Sequence, residues 1–438
     1  MKRSLADFNL FYALFFPIVR YATRCHYRHV AVRGKENLPE GENYILAPCH
    51  QNAMMDPLVV LMVVNKPVVF LARADIFKKP VARFFLTWLR ISPVYRIRDG
   101  RDQLSRNAEV FRTARQALEK GRPLCLMAEG THNDRHQLLP LVKGMFRIAG
   151  DTQRDLGDKP LYIVPVGLDY DDYERPYSSV AVNIGQPIDV RQYMTEYEEN
   201  EPVALNQMRT DLSQAMKACI HQVNADEHYE DEYAYCHLKT QQVLHDLKLC
   251  NNVWGRFVAR KHISQQMAEM SDEDKAVRYT EGAEFAKECH RSQVPLWFAS
   301  KWPGTASWRL PVWWLLMSMV LLLVVFLCWD MLLLWLVSNP IVYLPTHLVA
   351  KAKVKDPQFR SSINYGIRFG LTLVYLIVLF IVATCVCGFG KGLALLLLGI
   401  MSAFVTPRVF VLLRDMYYGY RWKRRERSHA ESETAQHC

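Results

Sequence analysis

A histidine and an aspartate lie six positions apart in the apolar stretch "APCHQNAMMDPLVV", residues 47–60. An imidazole can accept and return a proton at neutral pH, and a nearby carboxylate can hold the ring in one tautomer. His50 and Asp56 are therefore either a general base with its orienting partner or two satisfied polar residues in a core. The chain has 14 histidines, so chance alone can supply one such pair.

The six-residue spacing sets a condition on the backbone between the two residues. In one regular helix it would turn Asp56 by about 240° from His50, away from the same face. Pro48 and Asn52 permit a strand-to-helix turn in this stretch. We therefore expect a non-helical turn before the helix, with the two side chains within hydrogen-bonding reach.

Three later stretches add chemistry in a fixed order: "SPVYRIRDG" at 92–100, "AEGTHNDRHQLLPLVKG" at 128–144 and "IVPVGLDY" at 163–170. Arg96 and Arg98 alternate along a predicted strand, so they share one face and can present a fork to phosphate. The alternative for them is two solvated surface arginines. Glu129, Gly130 and Thr131 end an apolar strand at a glycine turn, where free amides and a hydroxyl can meet an anion.

These four blocks together resemble the glycerolipid acyltransferase family, whose members acylate glycerol-3-phosphate or lysophosphatidic acid. The resemblance covers residues 30–192 and is nearest to the branch with fungal glycerol-3-phosphate/dihydroxyacetone-phosphate acyltransferases. It implies His50 and Asp56 as catalytic residues. It also implies a set of acceptor-binding residues: Arg96, Arg98, Glu129, Gly130, Thr131 and Lys143.

The sequence departs from the family pattern at two points. Five residues separate His50 from Asp56 where the family usually has four, and "AEGTH" replaces "PEGTR". His132 therefore stands where arginine is common, and Arg135 or Lys143 is a candidate to replace that phosphate contact.

A thioester donor is already activated, so acyl transfer to a hydroxyl needs a base and a stabilised oxyanion rather than an enzyme nucleophile. The resemblance thus implies acyl-CoA or acyl carrier protein (acyl-ACP) as co-substrate, with no cofactor and no metal. The 11 cysteines form no CxxC pair, which also disfavours a disulfide framework or zinc site. No G-x-S-x-G, H-E-x-x-H or P-loop pattern is present, which disfavours serine hydrolases, zincins and P-loop enzymes.

Short β-branched runs alternate with helical stretches over residues 30–192, which predicts an α/β acyltransferase domain with its motifs at strand ends. Residues 193–303 predict a helical accessory region, with disorder at its acidic clusters as the alternative. The expected fold class is an α/β acyltransferase domain with a helical insert and C-terminal transmembrane helices.

Long uncharged runs follow, and we assign residues 304–420 to the membrane. Two helical hairpins, about 311–329/331–347 and 369–388/392–412, place Asp330 and Lys391 at their far turns. The alternative is one long helix across 311–337 that buries Asp330. All the basic loops then lie on one side, which predicts a multi-pass inner-membrane protein with a cytoplasmic catalytic domain and a basic tail over 421–438.

The N-terminal segment, residues 1–29, has an apolar run too short to span a bilayer, followed by many cations. It predicts an interfacial helix, with an ordinary core helix as the alternative. The net charge is +10, and the basic residues cluster beside apolar segments. This placement favours membrane lipids over nucleic acid as the anionic partner. Two other functions stay open: acylation of an amino or sugar lipid, and a catalytically silent membrane scaffold.

Overall fold

The structure is a computed structural model, and it describes residues 10–64, 66–78, 80–95, 107–133, 135–301 and 357–436, with isolated positions at 315, 316, 318, 319, 323 and 348. The chain forms two compact units. The first comprises residues 1–24, 30–170 and 180–222, and the second comprises residues 25–29, 171–179 and 223–438.

The first unit is built on an eight-stranded mixed sheet. Its strands are β1 His29–Arg33, β2 Asn43–Pro48, β3 Val69–Arg73, β4 Ile91–Val94, β5 Leu124–Leu126, β6 Leu161–Tyr170, β7 Ser179–Ile184 and β8 Ile188–Asp189. The order is β1-β7-β6-β2-β5-β3-β4, with β8 paired to β6. The strands from β6 to β4 along this order run parallel, and β7 and β8 pair antiparallel with β6.

Helices connect and follow these strands: α1 Leu10–His26, α2 Met55–Val63, α3 Pro80–Trp88, α4 Asn107–Glu119, α5 Gly144–Leu156, α6 Met194–Glu199 and α7 Glu201–Cys219. Helices cover both faces of a parallel sheet, so the sequences of its strands are continuous apolar runs. Ile45, Leu124 and Val164 of the central strands are accordingly fully buried. The mixed α/β core that the alternating pattern predicts is confirmed.

Helix α1 leaves an apolar face uncovered. Leu10, Leu14 and Ile18 follow a four-residue spacing and are 63, 64 and 42 % exposed. Tyr12 and Val19, on the other side, are buried. The predicted interfacial helix therefore has the apolar face that such a role requires, although the sheet unit supplies a core contact as well.

The second unit is helical: α8 Tyr229–Asp246, α9 Val253–Glu269, α10 Asp272–Ser292, α11 Leu296–Ala299, α12 Pro357–Cys387 and α13 Phe389–Gln436. The acidic clusters start helices, because negative side chains favour the positive end of the helix dipole. Asp272, Glu273 and Asp274 form the first turn of α10, after the N-cap Ser271. The helical C-terminal region is confirmed, and these clusters are ordered rather than disordered.

Among the described residues, one helix is long and apolar enough to cross a membrane, Phe359–Cys387 within α12. Its apolar surface is open, with 6 % of the most apolar stretch buried. Gly388, at φ +86°, separates α12 from α13, which begins with the shorter apolar segment Phe389–Ser402. The second predicted hairpin thus corresponds to two helices joined at a glycine. The first, 311–347, lies almost entirely outside the described residues.

Candidate functional site

The candidate site lies at the carboxyl end of β2, in the middle of the parallel strands. β2 pairs in parallel with β5 on one side and β6 on the other. Carboxyl ends of parallel strands meet at one edge of a sheet, where α/β folds place their chemistry. The blocks that follow β2, β5 and β6 in the sequence therefore converge at this edge.

His50 and Asp56 contact each other across a tight turn. Residues 51–54 are non-helical, α2 starts at Met55, and Ala53 adopts φ +41°. His50 Nδ1 lies 2.8 Å from Asp56 Oδ2. The expected turn is present and absorbs the additional residue, so both side chains face the same point.

Four donors converge on the fully buried carboxylate of Asp56. Its Oδ2 accepts the backbone N–H groups of Gln51 at 2.9 Å and Asn52 at 2.7 Å, in addition to the His50 contact. Its Oδ1 accepts the hydroxyl of Tyr170, the last residue of β6, at 2.6 Å. Donors to the charged form stabilise a carboxylate away from water. Asp56 is therefore held in place by two neighbouring strands.

The imidazole of His50 has a protected side and an open side. Its side chain is 16 % exposed, whereas that of Asp56 is 0 % exposed. Because Asp56 accepts at Nδ1, that nitrogen carries the hydrogen in the neutral ring, which leaves the Nε2 lone pair available. The arrangement can take a proton from a hydroxyl group and return it to a leaving group.

Glu129 fixes the backbone at His50. Its Oε1 accepts the His50 N–H at 2.7 Å, and its Oε2 accepts the Leu139 N–H at 2.9 Å. Burial raises the pKa of the Glu129 carboxyl to about 7, against the lowering effect of these two amides. Both oxygens are engaged by the protein's own backbone. These contacts hold the backbone at His50 and Leu139, and the acceptor contact that the sequence predicts for Glu129 stays a prediction.

The glycine turn after β5 and the loop that follows it lie beside His50. Gly130, at φ +67°, could not carry a Cβ without strain, and that atom would lie 3.0 Å from Val142 Cγ1. The Asn133 N–H donates to the His50 carbonyl at 3.0 Å, and the His132 ring lies 5.5 Å from the His50 ring. The loop that carries Thr131 thus lies directly against the proposed base, and Thr131 itself is exposed.

Lys143 is exposed at the start of α5, immediately after Val142, whose side chain a Cβ at Gly130 would meet. A helix N-terminus and a lysine both favour an anion. Arg96 and Arg98 lie outside the described residues, so their predicted role stays a prediction. The structure therefore brings His50, Asp56 and the 129–131 turn together.

Sequence reasoning missed Tyr170 and the positioning role of Glu129. Tyr170 ends the quoted stretch "IVPVGLDY", but its contact with Asp56 depends on the pairing of β6 with β2. Among the described residues, one group of buried side chains also has metal-ligand chemistry: His136, Asp169 and His221. None of these three residues is among the site residues that the sequence predicts, and the sequence predicts no metal.

Comparisons with known proteins address the sheet-containing part of the chain. Residues 29–169 match the family model described as Acyltransferase. The 1-acyl-sn-glycerophosphate (LPA) acyltransferase PlsC from Thermotoga maritima, a crystal structure, is similar with 20 % identity and a TM-score of 0.33 over 46 % of this chain and 80 % of that chain. A comparison with curated proteins gives no match. Residues 29–169 are thus similar to the Acyltransferase family model, and the His50–Asp56 pair at the end of β2 lies within the matched region.

Proposed function

We propose that this protein is a membrane-bound O-acyltransferase of phospholipid synthesis. It moves a fatty acyl group from acyl-CoA or acyl-ACP to a hydroxyl of glycerol-3-phosphate or 1-acyl-glycerol-3-phosphate. The observation that carries the proposal is the 2.8 Å contact between His50 Nδ1 and the buried Asp56 carboxylate, inside the region that matches the Acyltransferase family model.

In the proposed reaction, His50 Nε2 takes the proton of the acceptor hydroxyl as its oxygen attacks the thioester carbonyl. Asp56 stabilises the imidazolium that forms and keeps the ring oriented. The tetrahedral intermediate then collapses, the carbon–sulfur bond breaks, and His50 returns the proton to the leaving thiolate. The enzyme forms no covalent bond to the acyl group.

The acceptor phosphate is proposed to bind beside this pair. The exposed Thr131 and Lys143 flank the Gly130 turn and the start of α5, where cations and backbone amides favour an anion. Arg96 and Arg98 are proposed to complete the phosphate site from the second block. Glu129 acts on this site through the backbone positions of His50 and Leu139.

The proposed location is a membrane, with several crossings and the catalytic domain in the cytoplasm. The support is the open apolar helix Phe359–Cys387 and the exposed leucines of α1. An amphipathic product and one amphipathic substrate make a membrane location chemically sensible. The basic tail after residue 420 is suited to anionic headgroups.

The test is an acceptor and donor panel with the full-length protein in detergent or native membranes, read by mass spectrometry. Acceptors are glycerol-3-phosphate, 1-acyl-glycerol-3-phosphate, the same two compounds without phosphate, and an amino lipid and a sugar lipid. Donors are acyl-CoA and acyl-ACP.

We expect product with a phosphate-bearing glycerol acceptor, and a Lys143→Ala variant with a raised KM for that acceptor. The matched control is Lys261→Ala, which replaces a lysine of α9 outside the acyltransferase domain. Equal turnover of the acceptor without phosphate would refute the phosphate site. No transfer to any acceptor would favour a silent scaffold and overturn the proposal.

A further inference from the structure

Three buried side chains from distant parts of the first unit meet beside β6. His136 belongs to the loop before α5, Asp169 is the penultimate residue of β6, and His221 follows α7. They are 1, 2 and 0 % exposed. Each offers one nitrogen or oxygen ligand atom, and these atoms all lie within 4.8 Å of one another.

The carboxylate of Asp169 lies next to both imidazoles. Its Oδ1 is 3.2 Å from His136 Nδ1 and 3.8 Å from His221 Nδ1. The two imidazole rings have their centroids 5.1 Å apart. Ligand atoms of a tetrahedral Zn²⁺ ion, each at about 2.0–2.2 Å from the metal, are about 3.4 Å from each other. The two separations from Asp169, 3.2 and 3.8 Å, are close to this value, and all three ligand atoms lie within 4.8 Å of one another.

The ligand chemistry also favours a cation at this point. A carboxylate oxygen and two imidazole nitrogens can each bind the same divalent ion. Two histidines and one carboxylate form a ligand set that suits borderline transition-metal ions better than Mg²⁺ or Ca²⁺.

We propose that His136, Asp169 and His221 bind one divalent transition-metal ion, of which Zn²⁺ is the first choice, with water as the fourth ligand. The site is structural, because the near-complete burial of all three residues keeps substrates away from the ion. The ion would cross-link the loop before α5, the end of β6 and the segment after α7.

This cross-link would act on the catalytic pair through the backbone. Asp169 precedes Tyr170, whose hydroxyl donates to Asp56 at 2.6 Å. His136 follows Arg135, whose carbonyl accepts the side-chain amide of Gln51 at 3.3 Å, and Gln51 is the residue after His50. The proposed ion would therefore fix the backbone next to Tyr170 and Arg135, the two residues that contact Asp56 and Gln51.

The first experiment measures bound metal in the wild-type full-length protein. The protein is purified in detergent with a tag that binds no metal, and elemental analysis is done by mass spectrometry. We expect about one Zn²⁺ or similar ion per chain. After removal by a chelator, Co²⁺ should bind with the visible absorption of a low-coordinate nitrogen and oxygen site. Both Zn²⁺ and Co²⁺ should raise the Tm of the metal-free protein.

Substitutions of the proposed ligands test where the ion binds. Asp169→Asn and His221→Ala should each lower the metal content at least tenfold, and His221→Cys, which offers another Zn²⁺ ligand, should retain it. The matched control is His237→Asn, which replaces a buried histidine of the second unit that contacts Ser300 Oγ at 3.1 Å. His50→Ala should also retain the ion, so metal content is independent of catalysis.

Two results would overturn the proposal. One is a wild-type protein with less than about one tenth of an ion per chain and no change in Tm on addition of Zn²⁺ or Co²⁺. The other is a metal content that survives both Asp169→Asn and His221→Ala. If those variants fail to fold, the Co²⁺ spectrum and the Tm shift of the wild-type protein decide the question.

Discussion

Among the described residues of the first unit, Asp56 and Asp169 are buried and contact histidines, and the two carboxylates differ in their other contacts. Asp56 accepts two backbone N–H groups and the Tyr170 hydroxyl, so it contacts a single imidazole, which is 16 % exposed. Asp169 lies between two imidazoles that are at most 2 % exposed. The same residue types therefore suit proton transfer in one place and ion binding in the other.

The exposure of the imidazole, rather than the histidine–aspartate contact itself, indicates which chemistry each pair can perform. A proton must reach the acceptor hydroxyl, so the ring that transfers it needs one open nitrogen. An ion that only cross-links segments can be buried, because no substrate has to reach it. Changes at the two aspartates should therefore separate activity from stability.

The largest effect is expected at Asp56. Asp56→Asn removes the charge that orients His50 and puts an amide opposite backbone N–H groups. Turnover should fall by about 10³- to 10⁴-fold, the scale seen when the carboxylate of a Ser-His-Asp triad is replaced by an amide. Acyl-transfer kinetics measure it, with Asp246→Asn on the surface of α8 as the matched control. A less than tenfold loss would show that Asp56 does not orient the base.

For Asp169 we expect a large loss of stability and a smaller loss of turnover than for Asp56. Asp169→Asn should lower the Tm of the protein by several degrees, about 2–5 kcal/mol of unfolding free energy, because it leaves buried imidazoles without their charged partner. Turnover of the folded fraction should fall far less than in Asp56→Asn. Thermal unfolding and kinetics on the same preparation test this. An Asp169→Asn protein with wild-type Tm and no turnover would reverse the two assignments.

The raised pKa of Glu129 predicts that the stability of the protein depends on pH. Burial raises its pKa in the folded state to about 7 from 4.5. The folded protein thus binds more protons than the unfolded chain in this interval. The stabilisation due to the protonated carboxyl is complete below pH 4.5 and is lost as the pH rises through 7, with a span of about 3 kcal/mol.

Denaturant unfolding of wild type and Glu129→Gln at several pH values between 4.5 and 8 measures this span. The stability advantage of wild type over the variant should shrink as the pH increases. Glu269→Gln, at an exposed position, is the control. An advantage that grows with pH would mean that Glu129 is stabilised as the anion, contrary to the effect of its burial.

The smallest effect is expected at Tyr170. Tyr170→Phe keeps the ring but removes one of the four donors to Asp56, so turnover should fall about tenfold, the cost of one hydrogen bond to a charged group. The KM for the acceptor should stay near its wild-type value, because Tyr170 acts through Asp56. Tyr420→Phe, at an exposed position, is the control. A large KM change with constant kcat would instead indicate direct substrate contact.

Local patterns were sufficient for the sheet and for the turn at His50. Alternating apolar runs give the strands, and the six-residue offset between His50 and Asp56 requires the non-helical turn that is present. Contacts across strands were not accessible from one sequence. Tyr170 reaches Asp56 only because β6 pairs with β2, and the pairing register is a property of the folded sheet.

The contacts of Glu129 and the proximity of His136, Asp169 and His221 likewise depend on the folded chain rather than on local sequence. A carboxylate beside a glycine turn reads as an anion-site residue, yet its oxygens accept two backbone amides. His136, Asp169 and His221 have no common motif spacing, so their proximity depends on where a loop, a strand and a helix end meet.

His50 is proposed to be the base of an acyl transfer. The most direct test compares acyl transfer by His50→Ala with wild type and with His245→Ala, whose side chain is 92 % exposed. Each protein is assayed with a thioester donor and a phosphate-bearing glycerol acceptor. We predict a loss of about 10³- to 10⁴-fold in His50→Ala, the same range as for Asp56→Asn, with wild-type turnover in His245→Ala and an unchanged Tm in both. Turnover of His50→Ala within twofold of wild type would contradict the account.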